Sequence, residues 1–510
     1  MFQFRGLAGP LVASLILAVP LWCVTIPGMP DYPAHLASFA LIGGAPSHFY
    51  EIRWAFVPNL ASEVLVPLLA HIVSLNTATK LFLSATLFLW AIGPALIHRA
   101  LFGQVNFGAL AAALFAYNAN FMWGFFNYTF ATGLGFVVFA LWIETEQQKP
   151  SRRLPLFAVL FTLLYFCHLF AFATLLLAIA CYEIAGWRQA LPRNPIGLLH
   201  RAVPVAIATL PAALAYLLLK PAGTADSHII FDFADTMLDR AGAAVQLGFD
   251  NPIYLATAAL ALVLVIGLIT RTAIVHPRMR IALVVFAIAA VTAPEWALGG
   301  WGVHMRLPPV FGALAFAAAE WHLPRRARAA AGLLLLGAAA AAATVVVQQW
   351  RPLDNQYTEF EARLADIPPG TRLLTVLDGD SLGWESDQPY WHLGELAIAP
   401  RDAFTQLLFT TRGQHILAIR PPMNRYAAAA AQQGSPPDID ELDNLAAGRI
   451  DADEDIRDIF PYLRFFQCHY DMALVIHGRG PHARTPTMLR DPKEGSFFSL
   501  YKIAPDAHCR

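Results

Sequence analysis

Asp31 and His35 are the residues of this chain best placed to do chemistry. They stand four apart in Pro30-Asp31-Tyr32-Pro33-Ala34-His35, directly after an apolar run that ends near Pro27. A carboxylate at the edge of an apolar layer loses hydration, which raises its pKa and strengthens it as a base. Pro33 suits the first turn of a helix that would put both residues on one face. From there His35 can orient Asp31 or share its proton. The pair is therefore a candidate for general-base work at a membrane surface. Asp31 can also act as the cap of that helix, a role that can coexist with catalysis. His35 can equally be an interfacial polar contact.

The elements that must position them are apolar. Of 510 residues, 57% are hydrophobic and 14% charged, against roughly 25% charged in soluble domains. Ionisable groups in such a setting are expensive and tend to mark function. The net charge of -1 by itself says nothing about nucleic acid, but no basic domain is seen and no nucleic-acid partner is expected. About twenty apolar residues cross a bilayer. Such runs lie near 7–27, 79–98, 104–120, 127–144, 202–219, 253–273, 281–298, 307–322 and 330–349. The first lacks a small-residue cleavage site and reads as an uncleaved span. Stretch 154–187 is too long for one comfortable pass; it is two helices turning at Cys167-His168 or one tilted helix. Segment 59–75, with Glu63, Pro67 and His71, reads as a helix lying on the outer interface.

Basic residues gather in a few short loops, at Arg99, at Lys149, Arg152 and Arg153, and at Arg188, Arg193 and Arg201. Further on they recur at Arg271, Arg278 and Arg280 and at Arg325, Arg326 and Arg328. The positive-inside rule puts these loops and the N-terminus in the cytoplasm, provided that 154–187 crosses twice and 59–75 does not cross. If 59–75 spans and 154–187 crosses once, only the middle loops change sides. The expected fold class is a polytopic α-helical membrane protein of about 11 transmembrane helices, residues 1–350, with a C-terminal extramembrane α/β domain, residues 351–510.

In that last part, Asn355–Ile367 has helical spacing. Arg372–Leu377, His415–Ile419 and Met472–His477 read as buried strands, and Phe497–Ile503 as a half-exposed one. Helical stretches near 438–447 and 454–466 fall between them, a small α/β pattern without a phosphate-binding glycine fingerprint or zinc spacing. Trp391-His392-Leu393-Gly394-Glu395 reads as a turn around a buried Trp in preference to a ligand contact. Cys468 and Cys509 can pair if this part is outside the cytoplasm.

The layout resembles the GT-C superfamily of integral-membrane glycosyltransferases. Its members begin a long first outer loop with a catalytic acid just after the first span, follow it with interfacial helices, and often end in an outer soluble domain. Asp31 matches that acid, 59–75 the interfacial helix, and Arg99-Ala100-Leu101-Phe102-Gly103 the short cytoplasmic turn between the second and third spans. Protein O-mannosyltransferase-like and aminoarabinose transferase-like members carry Asp-Glu at the acid, where this chain has Asp31-Tyr32.

The resemblance implies sugar transfer from a polyprenyl-phosphate-linked donor to a lipid, glycan or protein acceptor at the outer membrane face. Asp31 would be the general base, with His35 beside it. Arg306, in His304-Met305-Arg306, and Lys220 would stabilise the leaving phosphate, or snorkel toward headgroups. His304 joins Arg306 as a substrate-binding candidate, and Glu63 is a second acid or a metal ligand. Trp123 and Asn127, in Trp123-Gly124-Phe125-Phe126-Asn127-Tyr128, would contact sugar, although an interfacial belt is the favoured reading of the cluster. His168 and Glu295 would line the cavity or be buried with local partners. Some members use a divalent metal such as Mg or Mn, for which Asp31, His35 and Glu63 are candidate ligands; the sequence fixes no metal site and indicates no other cofactor.

A cell-surface polysaccharide polymerase or ligase would use the same face and carrier. A transporter or scaffold is the non-enzyme alternative; the ionisable residues cluster at the outer boundary and no internal repeat is found, which favours an interfacial enzyme. The Ala- and Arg-rich composition points to a bacterial inner membrane with the C-terminal domain in the periplasm.

Overall fold

The computed structural model describes residues 6–189, 195–219, 229–233, 236–249, 254–297, 300–382, 386–424, 435–448, 463, 465–478, 485–506 and 509. The apolar runs form helices. α1 (Ala8–Cys23) leads into α2 (Tyr32–Ile42), strand β1 (Tyr50–Ile52) and α3 (Ala61–Ala70). Next come α4 (Leu75–Phe102), α5 (Phe107–Ala112) running into a 3-10 turn, α6 (Ala119–Trp123) and α7 (Phe126–Glu144). α8 (Pro150–Cys167), α9 (Leu169–Gln189), α10 (Pro195–Leu219), α11 (Met237–Ala243) and α12 (Tyr254–Ile269) follow. The bundle ends with α13 (Arg280–Thr292), α14 (Leu307–Ala317) and α15 (Arg325–Ala362). Among the described residues five helices are long and apolar enough to cross a membrane: α4, α7, α9, α10 and the one that starts at Arg325. Several shorter apolar helices accompany them.

Charged partners gather at one end of the bundle. Arg99 on α4 pairs with Glu144 at 2.6 Å, Arg201 on α10 with Glu183 on α9 at 2.7 Å, and Arg278 with Glu146. Arg153 of α8 donates to the Trp142 carbonyl of α7 at 2.9 Å. The Asp31 loop lies at the opposite end, where Asn76 donates to the Thr25 carbonyl at 2.8 Å and the Leu60 amide to Phe166 at 2.9 Å. α8 therefore leaves the charged end and α9 returns to it. The break is His168, whose backbone is extended and whose Nδ1 accepts from the Phe170 amide at 3.2 Å. This is the two-helix form of stretch 154–187. α3 has both its neighbours at the Asp31 end and does not traverse the bundle.

Small residues set the closest packing. A Cβ on Gly93 of α4 would stand 2.6 Å from the Phe136 Cβ of α7, and one on Gly133 of α7 2.8 Å from the Leu89 Cβ of α4. Their absence lets the two backbones approach, the usual device where no hydrophobic force acts between helices.

At the charged end, β2 (Ala273–Val275) pairs antiparallel with β3 (Ala319–Trp321). The C-terminal part carries β4 (Arg372–Leu377), β5 (Phe404–Thr405), β6 (Leu417–Ile419), β7 (Met472–Ile476), β8 (Leu489–Glu494) and β9 (Phe498–Ile503). Five of these form one mixed sheet in the order β5-β4-β7-β9-β8. β6 does not join it. It pairs antiparallel with β1, Tyr50 opposite Ile419, and so staples the loop after α2 to the far end of the chain. β9 is buried except at Lys502, because Phe498 and Leu500 on one face and Tyr501 and Ile503 on the other each pack into an apolar cluster, so the expected half-exposed alternation is absent. A capping box of Asp438 and Glu441 starts the helix Ile439–Ala446. Most of the helical stretch expected near 454–466 lies outside the described residues.

α15 continues without a break from the last apolar run into the helix expected at 355–367. Asp354 on it accepts from the amides of Thr25 and Ile26 at 2.9 and 2.8 Å, docking the exit of α1. Cys468 and Cys509 form a disulfide.

Candidate functional site

Asp31 occupies the N-cap position of α2, but its side chain makes no capping hydrogen bond. Its amide donates to the Trp123 carbonyl at 3.0 Å. Gly124 makes this approach fit: its φ is +99° and a Cβ there would meet the Asp31 Cβ at 2.8 Å. Gly124→Ala is expected to cost about 1–3 kcal/mol, read as a lower Tm of the purified protein; an unchanged Tm would mean that the Asp31 loop yields freely.

The freed carboxylate faces a cavity of about 350 Å³, walled by the start of α2, the α6–α7 junction, the 300–306 loop and two C-terminal segments around Trp391 and Phe409. Burial raises the Asp31 pKa to about 6, against the pull of His392. His392 Nε2 stands 3.7 Å from Asp31 Oδ1, and its Nδ1 stands 3.7 Å from Glu395 Oε1. Glu395 is buried and accepts from Thr405 Oγ1 at 3.2 Å. Burial disfavours the imidazolium, but the nearby carboxylates of Glu395 and Asp31 outweigh it and raise the His392 pKa. Carboxylate, imidazole and carboxylate thus run in a row from the C-terminal part into the cavity.

His35 also lines the cavity. Its ring stacks on Phe126 at 4.2 Å, and its Nε2 donates to the Gly124 carbonyl at 3.1 Å. Nδ1 is then the unprotonated nitrogen, and it has no protein partner. Burial first, then His415, lowers the His35 pKa to about 3. A neutral His35 is a hydrogen-bond acceptor; the imidazole in the ion-pair row with Asp31 is His392.

Arg306, the N-cap of α14, lines the same cavity. Its Nη2 donates to the Trp301 carbonyl at 3.1 Å, and its guanidinium lies 5.3 Å from the rings of Tyr128 and Phe170. Nε has no partner, and among the described residues no carboxylate pairs with Arg306. Burial lowers its pKa to about 10, so it stays charged at neutral pH. A buried cation that no protein anion neutralises is suited to an anionic ligand.

Trp123 is buried among Trp301, Trp391 and Phe249, with ring centroids 4.9 to 5.6 Å away. It forms a cavity wall and is no part of a lipid-facing belt. Asn127 lines the cavity, but its amide is committed: Oδ1 accepts from the Ser62 amide at 2.6 Å and Nδ2 donates to Glu63 Oε2 at 2.7 Å. Glu63 is outside the lining, held by Asn127 and Ser62, with its pKa raised to about 7 by burial. It ties α3 to α7. His304 is fully buried behind the wall, 3.8 Å from Asp239. Glu295 accepts from Trp301 Nε1 at 2.9 Å, and His168 lines the cavity. Lys220 lies outside the described residues. Of the three candidate metal ligands, Asp31 and His35 line the cavity together, whereas Glu63 is held outside it by Asn127 and Ser62. Among the described residues no group of three His, Cys, Asp or Glu side chains is spaced to hold an ion.

Trp391-His392-Leu393-Gly394-Glu395 is both a turn and a cavity wall. Its Trp-His-x-x-Glu spacing was the only sequence signal for it. Phe409, Thr411, Gln414 and His415 also line the cavity and carried no signal.

No protein-family model and no curated protein matches this chain. Several solved structures are similar to it, including these two. One is ArnT from Cupriavidus metallidurans bound to undecaprenyl phosphate, 12% identical, with a TM-score of 0.49 over 98% of this chain and 97% of that one. The other is the arabinofuranosyltransferase AftD from Mycobacteria, 16% identical, with a TM-score of 0.44; the match covers 100% of this chain and 42% of AftD. The likeness is one of outline, and the chemistry is read from this chain's own cavity.

Proposed function

We propose that this chain is a membrane glycosyltransferase of the GT-C type, moving a sugar from a polyprenyl-phosphate-linked donor to an acceptor hydroxyl. One observation carries the reading: a desolvated carboxylate and an unneutralised guanidinium share one cavity at the end of an apolar bundle.

Asp31 takes the proton of the acceptor hydroxyl. The acceptor oxygen bonds to the anomeric carbon as the bond from that carbon to the phosphate oxygen breaks. The electron pair leaves with the phosphate, and Arg306 stabilises the charge. His392, held by Glu395, keeps Asp31 ionised. No step is routed through a metal.

The Arg- and Glu-rich end would face the cytoplasm and the cavity the outside, giving about 11 crossings. Residues 1–350 would form the membrane part and 351–510 an outer α/β domain in the periplasm of a bacterial inner membrane. The Cys468–Cys509 disulfide supports an oxidising compartment for that domain.

The test is transfer from a panel of radiolabelled polyprenyl-phosphate sugars into membrane extract by purified protein. Donor-dependent incorporation is expected; incorporation no greater than with boiled protein across the panel counts against the reading. His392→Gln sharpens it. Removing the cation that lowers the Asp31 pKa moves that pKa upward, so the acid limb of the pH–rate profile, expected near pH 6, should shift to higher pH. A limb that stays in place would separate His392 from Asp31.

A further inference from the structure

We infer that the acceptor is a neutral, hydroxyl-rich glycan seated in a cleft that leads away from Asp31 along the rim of the bundle. The inference rests on the glycosyltransferase reading and names the substrate class for the same site. The Asp31 cavity does not end at its tryptophans. Trp123 and Trp301 also wall a neighbouring cleft of about 210 Å³. Gly248 and Phe249 wall that cleft and a third one of about 280 Å³, which lies between the loop after α1, the outer part of α15 and residues 386–390. The three spaces thus adjoin through shared walls.

Their chemistry is consistent along this path. Aromatic rings recur at Trp301, Phe249 and the more deeply buried Trp350 and Tyr390. Side-chain amides recur at Gln349, at Gln388, whose Oε1 accepts from Ser386, and at Gln246, whose Nε2 donates to the Gly248 carbonyl at 3.1 Å. Aromatic faces pack on the C–H faces of sugar rings, and an amide offers both donor and acceptor to hydroxyls. Trp350 is 1% exposed, and its indole N–H has no protein partner, although a buried tryptophan N–H usually finds one. Among the described residues that wall the two outer clefts, Asp239 is the only Asp, Glu, Lys, Arg or His. An acidic or phosphorylated acceptor would meet no cation among those residues. A lipid acceptor would leave the amides unmatched, which costs binding. A neutral glycan satisfies both sets of groups, and its length along the cleft would present one end to Asp31.

Binding tests this without turnover. Full-length protein in lipid nanodiscs would be applied to an array of immobilised neutral oligosaccharides graded in length, with uronic-acid and phosphorylated counterparts. Wild type and Asp31→Asn are expected to retain the neutral members, more strongly with length. Phe249→Ala and the double variant Gln349→Ala/Gln388→Ala are expected to bind about tenfold more weakly. The two variants alter different wall chemistry, and Tm identifies either one that fails to fold. Retention of acidic members alone, retention of none, or undiminished binding by both folded variants would overturn the inference. Failure of the glycosyltransferase reading looks different: glycans bind, yet no donor is consumed.

Discussion

Asp31→Asn is expected to reduce sugar transfer by about a hundred- to ten-thousand-fold, the contribution of a positioned general base, while the protein stays folded. Both halves follow from the site. The carboxylate makes no capping hydrogen bond to α2, so the amide removes no bond that holds the helix. The backbone contact from Asp31 to Trp123 is untouched. The stability effect has a definite sign. Because burial raises the folded-state pKa to about 6, the folded protein holds this proton more tightly than the unfolded chain does. The stability from that proton is fully present below the ordinary carboxylate pKa and is lost as pH rises through about 6. At pH 7 wild type therefore bears the cost of a desolvated anion, up to about 3 kcal/mol, which asparagine does not. The variant should melt no lower than wild type at pH 7, with the difference shrinking toward pH 4. Transfer assays and melting curves on the same preparation check both. Full activity in Asp31→Asn would remove the base from the mechanism; a collapsed Tm would assign Asp31 a structural role.

The second large effect is expected at Arg306. Arg306→Gln should lower kcat/KM for the lipid-linked donor by about a hundred- to a thousand-fold, the scale of losing one charge-stabilising group in a water-poor site. Arg306→Lys should restore only part, because a lysine lacks the planar fork that grips phosphate at two points. The local bonds at stake are modest: one hydrogen bond to the Trp301 carbonyl and ring contacts with Phe125, Tyr128 and Phe170. Steady-state kinetics with varied donor tests this. If Arg306→Gln turns over donor like wild type, the guanidinium is a packing element and the leaving group is stabilised elsewhere.

Much of the scaffold was legible because hydropathy and loop charge are local properties. Most apolar runs became helices, although 104–120 is broken into the six-residue α5, a 3-10 turn and the start of α6; the break at Cys167-His168 and the non-crossing segment around Glu63 were among the readings that loop charge allowed. Asp31 stood out because a carboxylate just past an apolar run is costly wherever the chain goes next. Glu63 shows the limit of that logic. It is as costly as Asp31, but Asn127 and Ser62 take up its charge, and no local pattern tells a carboxylate awaiting a ligand from one already partnered. Trp123 shows another: an aromatic cluster beside a span reads as an interfacial belt until its neighbours are known. The neighbours that decide it, Trp301, Trp391 and Phe249, come from distant segments.

By itself the sequence determined the helices, their order, the charged end of the bundle and the placement of Asp31 at the other end. Tertiary structure alone decided what Asp31 faces. The pairing of β1 with β6 and the docking of Asp354 on the exit of α1 bring the C-terminal part over the first loop. That fold-back sets His392 and Glu395 behind the carboxylate and Trp391 beside Trp123. Contacts between remote segments depend on how the whole chain packs, and no short window of residues encodes them.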